Sequence, residues 1–300
     1  MELQSVINSR LGVGIAFGLG RSLPPDLGYP VARALARLVA ARRNARQVRA
    51  ARANQWVVSG EKASREELDR RTLEVFQHSG YCIYEFYHYM YNPNAVLEKM
   101  ELTPRAWAIV RQSAAGKRGA VLVGPHISNF DLGLRALALS GLRAQVLSLP
   151  QPSGGYRWQN SMRAAYGLDI TPMSISALGQ ATRRLSEGGT VLTGVDRPVA
   201  SQKYRVTFFG RKAALPVAYV QMALKTHSPV YVVWAHLRED RMYLIDASEP
   251  IEMQPMKDRQ EEIVQNAEVV LQVVEKCIRL TPQQWLMFYP VWPETLESVP

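Results

Sequence analysis

Short apolar runs alternate with amphipathic segments from residue 119 onward, and this alternation restricts the folds available to the chain. The apolar runs have the length and composition of strands: Ala120–Val123, Gln145–Leu149, Thr190–Val195, Val230–Ala235 and Met242–Ile245. The segments between and after them are predicted helices: Leu132–Ser140, Tyr156–Tyr166, Ala177–Ser186, Pro216–Lys225 and Arg259–Arg279. Strands that alternate with helices in this way predict an α/β fold, with a sheet wrapped by helices.

The 300 residues show no internal repeat and no interdomain linker, which favours a single domain over residues 1–300. Within it we expect a helical N-terminal part over residues 1–95 and an α/β core over residues 96–300. Apolar residues make up 47% of the chain, enough for a sizeable core. Cys82 and Cys277 match no metal or redox spacing, so we expect buried, reduced thiols and a reducing compartment.

The net charge of +10 indicates an anionic partner: phospholipid head groups, a phosphate-bearing cofactor, an acidic carrier protein or nucleic acid. A helix predicted over residues 27–53 carries arginines and no acid from the first arginine to the last: Arg33, Arg37, Arg42, Arg43, Arg46, Arg49 and Arg52. Such a basic amphipathic helix is typical of an element that lies on anionic lipid. The alternatives are a solvated or internally neutralised helix face and, more weakly, nucleic-acid binding. No apolar run reaches the roughly 18 residues of a membrane span.

A second N-terminal helix is predicted to begin after Ser64, where Ser64-Arg65-Glu66-Glu67 has the pattern of a capping box. It runs to about Met90 and carries a cluster of aromatic residues: Phe76, Tyr81, Tyr84, Phe86, Tyr87, Tyr89 and Tyr91. Aromatic stripes of this kind usually pack in a core. Lining of a groove for an acyl chain is the functional alternative.

His126 and Asp131 carry the most informative chemistry, because they lie in a loop between a predicted strand and a predicted helix. The carboxyl ends of strands in α/β sheets are where ligands usually bind. A histidine there can take a proton from an alcohol, and a carboxylate can hold the ring in one tautomer and stabilise its charge. We therefore predict that Asp131 orients His126. Ser128 lacks the surroundings of a nucleophile and is expected to make an N-cap or loop hydrogen bond.

Three further groups are candidates for chemistry or substrate binding. Asp196 and Arg197 directly follow another predicted strand, so their side chains can converge on His126; a surface ion pair in a turn is the alternative. Arg211 and Lys212 follow a glycine and precede a predicted helix, which suggests a loop that contacts phosphate, unless it is an ordinary basic hairpin. Arg157 and Arg163 could bind phosphate or steady an oxyanion, and the sequence does not choose between them.

The chain resembles the bacterial lipid A biosynthesis acyltransferase family, which includes lauroyl and myristoyl transferases and phosphatidylinositol mannoside acyltransferases. The resemblance spans about the whole chain and rests on an ordered set of segments: 117–123 followed by His126-x4-Asp131; Gly188-Gly189-Thr190 through Asp196; Phe209-Gly210-Arg211 through Leu215-Pro216; Ala223-Leu224-Lys225 with Pro229-Val230; Val274–Ile278; and Pro282-Gln283-Gln284-Trp285. The histidine-aspartate spacing alone is a weak signal, whereas the ordered set is specific.

The resemblance implies a fold like that of glycerolipid acyltransferases, with a mixed sheet wrapped by helices. It implies transfer of a fatty acyl group from acyl-CoA or acyl-carrier protein to a hydroxyl of a glycolipid, with no metal and no other cofactor. His126 and Asp131 would be the catalytic pair, and Asp196 falls on a later acidic position of the family. The expected location is the cytoplasmic face of the inner membrane, as a peripheral protein docked by residues 1–95. A thioester or ester hydrolase, or a non-catalytic peripheral membrane protein of the same fold, is the alternative.

Overall fold

The computed structural model describes the backbone of residues 10–150, 154–165 and 168–300, and the side chains in these ranges except at residues 10–13, 154–156, 158 and 159. The predicted end of one helix at Tyr166 lies outside the described residues. The strands are β1 (Met100–Leu102), β2 (Ala120–Gly124), β3 (Ala144–Ser148), β4 (Asp169–Pro172), β5 (Thr190–Gly194), β6 (Val206–Phe208), β7 (Arg211–Ala213), β8 (Val230–Leu237) and β9 (Tyr243–Ala247). The α/β fold class and the five predicted strands are confirmed.

Seven of these strands form one mixed sheet in the order β1-β9-β8-β2-β5-β3-β4. Neighbouring strands are parallel, except for the antiparallel pair β8 and β9. The central strands β2 and β5 are paired in register, with Gly124 opposite Gly194 at their carboxyl ends. Residues at equal distances beyond these two glycines are therefore brought to the same edge of the sheet.

Helices cover both faces of the sheet, as expected for parallel strands that are apolar on both sides. The helices of this part are α5 (Pro93–Glu98), α6 (Pro104–Ala115), α7 (Phe130–Leu139), α8 (Gly154–Ala164), α9 (Ile175–Ser186), α10 (Ala218–Thr226) and α11 (Arg259–Leu280). One core contains residues of α6 and α7 with Leu122 of β2, and the other contains residues of α9, α10 and α11 with Val121. Because successive residues of β2 point to opposite faces, a single strand contributes to both cores.

Within the described residues, four helices precede α5: α1 (Arg10–Ser22), α2 (Pro25–Ala40), α3 (Arg46–Val58) and α4 (Arg65–Tyr89). The single helix predicted over residues 27–53 is wrong, because the chain turns at residues 41–45 and forms α2 and α3 instead. Helix α2 packs its small residues on α4, whereas Asn54 of α3 bonds the backbone of Met287 and Tyr289 near the C-terminus. The predicted cap is confirmed, since the Ser64 hydroxyl accepts a hydrogen bond from the Glu67 backbone N–H at 3.2 Å.

Aromatic residues of α4 pack against the neighbouring helices α1 and α2, and α2 approaches α4 closely. A Cβ built at Gly28 would lie 2.1 Å from the ring of Tyr84, and one at Gly80 would lie 3.0 Å from the backbone of Ala32. On the α1 side, Phe17 packs edge-on against Tyr87, with ring centroids 5.8 Å apart. These aromatic side chains pack between helices, in agreement with core packing. Within the described residues no helix is both long and apolar enough to cross a bilayer.

Candidate active site

His126 lies two residues beyond the end of β2, in a loop that the C-terminal segment holds in place. Its backbone carbonyl accepts a hydrogen bond from the Leu286 N–H at 2.8 Å, and the Ser128 N–H donates to the Gln284 carbonyl at 2.7 Å. Ile127, which lies between His126 and Ser128, is fully buried and forms an isolated antiparallel β-bridge with Trp285. The imidazole is therefore carried by a loop with fixed backbone contacts on either side.

Asp196 is the carboxylate that contacts the His126 ring. Nδ1 of His126 donates to Oδ1 of Asp196 at 2.6 Å, and the backbone N–H of His126 donates to Oδ2 at 2.8 Å. The indole Nε1 of Trp285 donates to the same Oδ2 at 2.7 Å. Asp196 is fully buried, which would raise its pKa, but the charge of His126 and these hydrogen bonds outweigh burial and hold the pKa below its usual value. The carboxylate is therefore ionised, and it fixes the ring orientation.

Asp131 pairs with Arg163 instead of His126, which corrects the contact predicted from the spacing. Nε and Nη2 of Arg163 donate to the two carboxylate oxygens of Asp131 at 2.7 and 3.0 Å. The chain passes through Ser128 in a left-handed conformation, with φ of 54°, before Asp131 enters the first turn of α7. From there its carboxylate meets α8, which carries Arg163. The pair is two-pronged, and such an Arg–carboxylate pair is geometrically specific.

Gly194 allows β5 to pass close to the imidazole. A Cβ at this position would lie 3.2 Å from Cε1 of His126, closer than ordinary van der Waals contact. Any side chain at residue 194 would therefore crowd the imidazole ring of His126. Asp196, which bonds this ring, follows the end of the same strand.

A cavity of about 140 Å³ opens beside these side chains. Its polar lining includes His126, Asp131, Asn160 and Arg163. Its remaining wall is mostly apolar and comes from α7 and the sheet: Leu134, Leu137, Val146, Ile170, Leu192, Val233, Ala235 and Ile245. A histidine paired with a buried carboxylate thus lies at the wall of an apolar cavity, a typical form of ligand site.

A second histidine supports the same loop from α4. Nε2 of His78 and Oγ of Ser128 are 3.0 Å apart in a buried hydrogen bond, and Asn129 donates to the Cys82 carbonyl at 3.2 Å. Burial lowers the pKa of His78 to about 4, so its ring is neutral near pH 7. Ser128 makes the loop hydrogen bond that the sequence predicted, and Asn129 caps α7. Cys82 and Cys277 are buried free thiols, as expected.

The family model for bacterial lipid A biosynthesis acyltransferases matches residues 3–294. The chain belongs to the bacterial lipid A biosynthesis acyltransferase family. This confirms the resemblance found in the sequence, and it makes the protein an acyltransferase. No individual curated protein matches the chain.

The other cationic residues predicted for the site of this lipid A-type acyltransferase do not line the cavity. Arg157 lies exposed on α8, and the guanidinium of Arg197 stacks over the ring of Tyr289 at 4.0 Å. Arg211 pairs with Glu61, and Nζ of Lys212 lies 3.2 Å from Glu268. Both belong to an antiparallel hairpin of β6 and β7, and neither they nor Arg157 and Arg197 line the cavity. Of the five predicted cations, Arg163 alone lines it, and substrate contact by the other four stays a prediction.

Sequence reasoning missed three residues that shape the acyltransferase site: His78, Gly194 and Trp285. Trp285 was noticed only as part of a family segment, and the sequence gives no signal that its indole reaches Asp196. His78 had an aromatic helix as its context, which suggested packing and nothing more. In the described part of the chain, no three His, Cys, Asp or Glu side chains are grouped so that they could hold a metal ion.

Proposed function

We propose that this acyltransferase moves a fatty acyl group from acyl-CoA or acyl-carrier protein to a hydroxyl of a membrane glycolipid, with His126 as general base. The observation that supports this most directly is the buried Asp196 carboxylate bonded to Nδ1 of a histidine that lines an apolar cavity. The bond commits Nδ1 to Asp196 and leaves Nε2 to exchange a proton with a substrate. Asp196 then stabilises the imidazolium that forms.

The reaction proceeds in two steps on this assignment. Nε2 of His126 takes the proton of the acceptor hydroxyl while its oxygen attacks the thioester carbonyl carbon, which gives a tetrahedral oxyanion. The carbon–sulfur bond then breaks, and the leaving thiolate takes the proton back from Nε2. The products are an ester and a free thiol, and no acyl-enzyme forms. Of the two arginines considered for the oxyanion, Arg163 lines the cavity and is the better placed.

The apolar wall of the cavity is suited to the hydrocarbon chain of the donor. Leu134, Leu137, Val146 and Leu192 line the same cavity as His126 and Arg163. Each methylene group buried against such a wall contributes about 0.8 kcal/mol. Chain binding here would bring the thioester carbonyl to the imidazole. The acceptor would approach from a membrane, where we place the protein as a peripheral enzyme on the cytoplasmic face, consistent with its net charge of +10.

The proposal is tested by following the acyl group of a labelled long-chain acyl-CoA, or acyl-carrier protein, in the presence of a bacterial lipid extract. We expect an acylated glycolipid as product, and a loss of at least about 10²-fold in turnover for His126→Ala. His227→Asn is the matched control, because His227 is exposed and lies in a left-handed turn that asparagine tolerates. Undiminished transfer by folded His126→Ala would reject the base assignment. Release of free fatty acid without acylated lipid would identify a hydrolase.

A further inference from the structure

Helix α2 exposes a stripe of large apolar side chains. Leu27, Val31, Leu35 and Leu38 are 56%, 37%, 50% and 65% exposed, respectively. Their spacing of four, four and three residues places them on one side of the helix. We call these four residues the α2 stripe. The side of α2 that packs on α4 carries the small buried residues Gly28, Ala32 and Ala36. The stripe is therefore separate from the side that α2 buries.

Helix α1 also exposes apolar side chains, and it contacts a helix that lines the cavity. It joins α2 through Leu23 and Pro24, and it exposes Ile15 and Leu19. Helix α1 also packs on α8, where Phe17 contacts a small core that includes Met162. Helix α8 carries Asn160 and Arg163, which line the cavity. An object that covers the surface of α1 and α2 would thus lie next to the helix that borders the site.

Three arginines of the turn before α3 and of α3 itself, in contrast, are already paired within the protein. Arg43 and Arg52 both pair with Asp69, and Arg49 pairs with Glu297. These three side chains were part of the basic helix predicted to contact lipid. Their two acidic partners offset part of the positive charge of this region, whereas α2 presents an exposed apolar side.

Charge indicates what covers the stripe. Arg33 and Arg37 are exposed on α2, and Asp26 is its one acidic residue. The whole chain carries a net charge of +10, so a second copy would bring like charges together. An anionic lipid surface offers head groups to the arginines and hydrocarbon to the leucines.

We infer that the protein docks on anionic bilayers by inserting the α2 stripe below the head groups, with the stripe and not the α3 arginines supplying the contact. This deepens the proposed peripheral membrane association. It is tested by vesicle binding, which needs no turnover, so docking and catalysis can fail separately.

The first experiment is co-flotation with mixed phosphatidylcholine–phosphatidylglycerol vesicles. We expect the wild type to float with the vesicles and Leu35→Ser/Leu38→Ser to bind at least about tenfold more weakly, since burial of one leucine is worth that much or more. Val269→Ser/Leu280→Ser is the matched control, because those residues are 47% and 67% exposed on α11. The control should bind within about twofold of wild type. His126→Ala should float like wild type, even if it transfers no acyl group.

The second experiment reports insertion without removing apolar area elsewhere. Both native cysteines are buried, so Leu38→Cys and Leu280→Cys can each be labelled with an environment-sensitive dye. We expect a blue shift on vesicle addition at residue 38 and none at residue 280. Wild-type protein that stays free of mixed vesicles, a serine variant that floats like wild type, or equal dye shifts at both positions would overturn the inference. So would a dimer that Leu35→Ser/Leu38→Ser dissociates.

Discussion

Asp196 and Asp131 are two aspartates at the same edge of the sheet, and they differ in their hydrogen-bonding partners. Asp196 is fully buried and receives hydrogen bonds from the ring and backbone of His126 and from Trp285. Asp131 has a side chain that is 20% exposed, and it is paired with Arg163. One carboxylate can stabilise a protonated imidazole, whereas the charge of the other is balanced by a guanidinium. The partner, and not the residue type, separates their roles.

The difference arises from the order of strands in the sheet. Asp131 is five residues from His126 along the chain, and Asp196 is 70 residues away. Strands β2 and β5 are neighbours in register, so residues two beyond Gly124 and two beyond Gly194 come together. For residues at strand ends, a neighbouring strand can supply a closer partner than the next turn of the chain.

The largest effect that tests this comparison is expected from Asp196→Asn. A neutral amide cannot balance the imidazolium, and its NH₂ group would face donors from Trp285 or His126. We expect turnover to fall by up to about 10⁴-fold, the loss seen when the aspartate of a Ser-His-Asp triad is replaced by asparagine. The measurement is steady-state acyl transfer, with thermal unfolding to confirm that the variant is folded. Asp196→Glu should recover part of the rate because it restores the charge. Equal rates for Asp196→Asn and wild type would remove Asp196 from the catalytic pair.

Much of the core could be predicted from sequence because its strands are apolar runs of sufficient length. The strands β1 and β4 were missed, since Met100–Leu102 and Asp169–Pro172 are short and lie at the edges of the sheet. The turn at residues 41–45 contains no proline or glycine, so local propensity favours a continuous helix. Packing of both α2 and α3 on α4, with Asn54 of α3 bonded to the C-terminal segment, overrides that propensity.

The site was predictable in part for a related reason. The position of His126 follows from a local pattern, a strand followed by a helix, and the same pattern placed Asp196 at a strand end. The choice between Asp131 and Asp196 depends on strand order, which hydrophobic periodicity does not encode. The same holds for Trp285 and His78, whose contacts with the loop join distant parts of the chain.

A smaller effect is expected from His78, which supports the loop that carries His126. Its pKa is lowered from 6.5 to about 4, so as the pH falls the unfolded chain takes up this proton first. This difference contributes about 3 kcal/mol to the free energy of unfolding. The contribution is complete above pH 6.5 and is lost as the pH falls from about 6.5 to 4. Chemical denaturation across this pH range should show it.

His78→Gln should remove this part of the pH dependence while keeping a polar partner for Ser128. His227→Asn, at an exposed position, should keep the wild-type dependence. If the two variants lose stability equally as the pH falls, His78 is not buried as a neutral ring. If His78→Gln keeps its pH dependence but changes the transfer rate, the loop depends on the imidazole for geometry alone.

The smallest effect among these tests is expected from Asp131→Asn. The change leaves the His126–Asp196 pair intact but weakens the hold on Arg163, whose side chain is only 9% exposed. We expect a loss of about 10- to 100-fold in turnover, equivalent to about 1.4–2.7 kcal/mol, with donor binding retained. Because Asp131 and Arg163 act as one unit, Asp131→Asn/Arg163→Gln should be little worse than the more severe single variant, as in a coupled double-mutant cycle. If Asp131→Asn instead lost as much activity as Asp196→Asn, and its effect added fully to that of Arg163→Gln, Asp131 would have to act on the reacting groups directly.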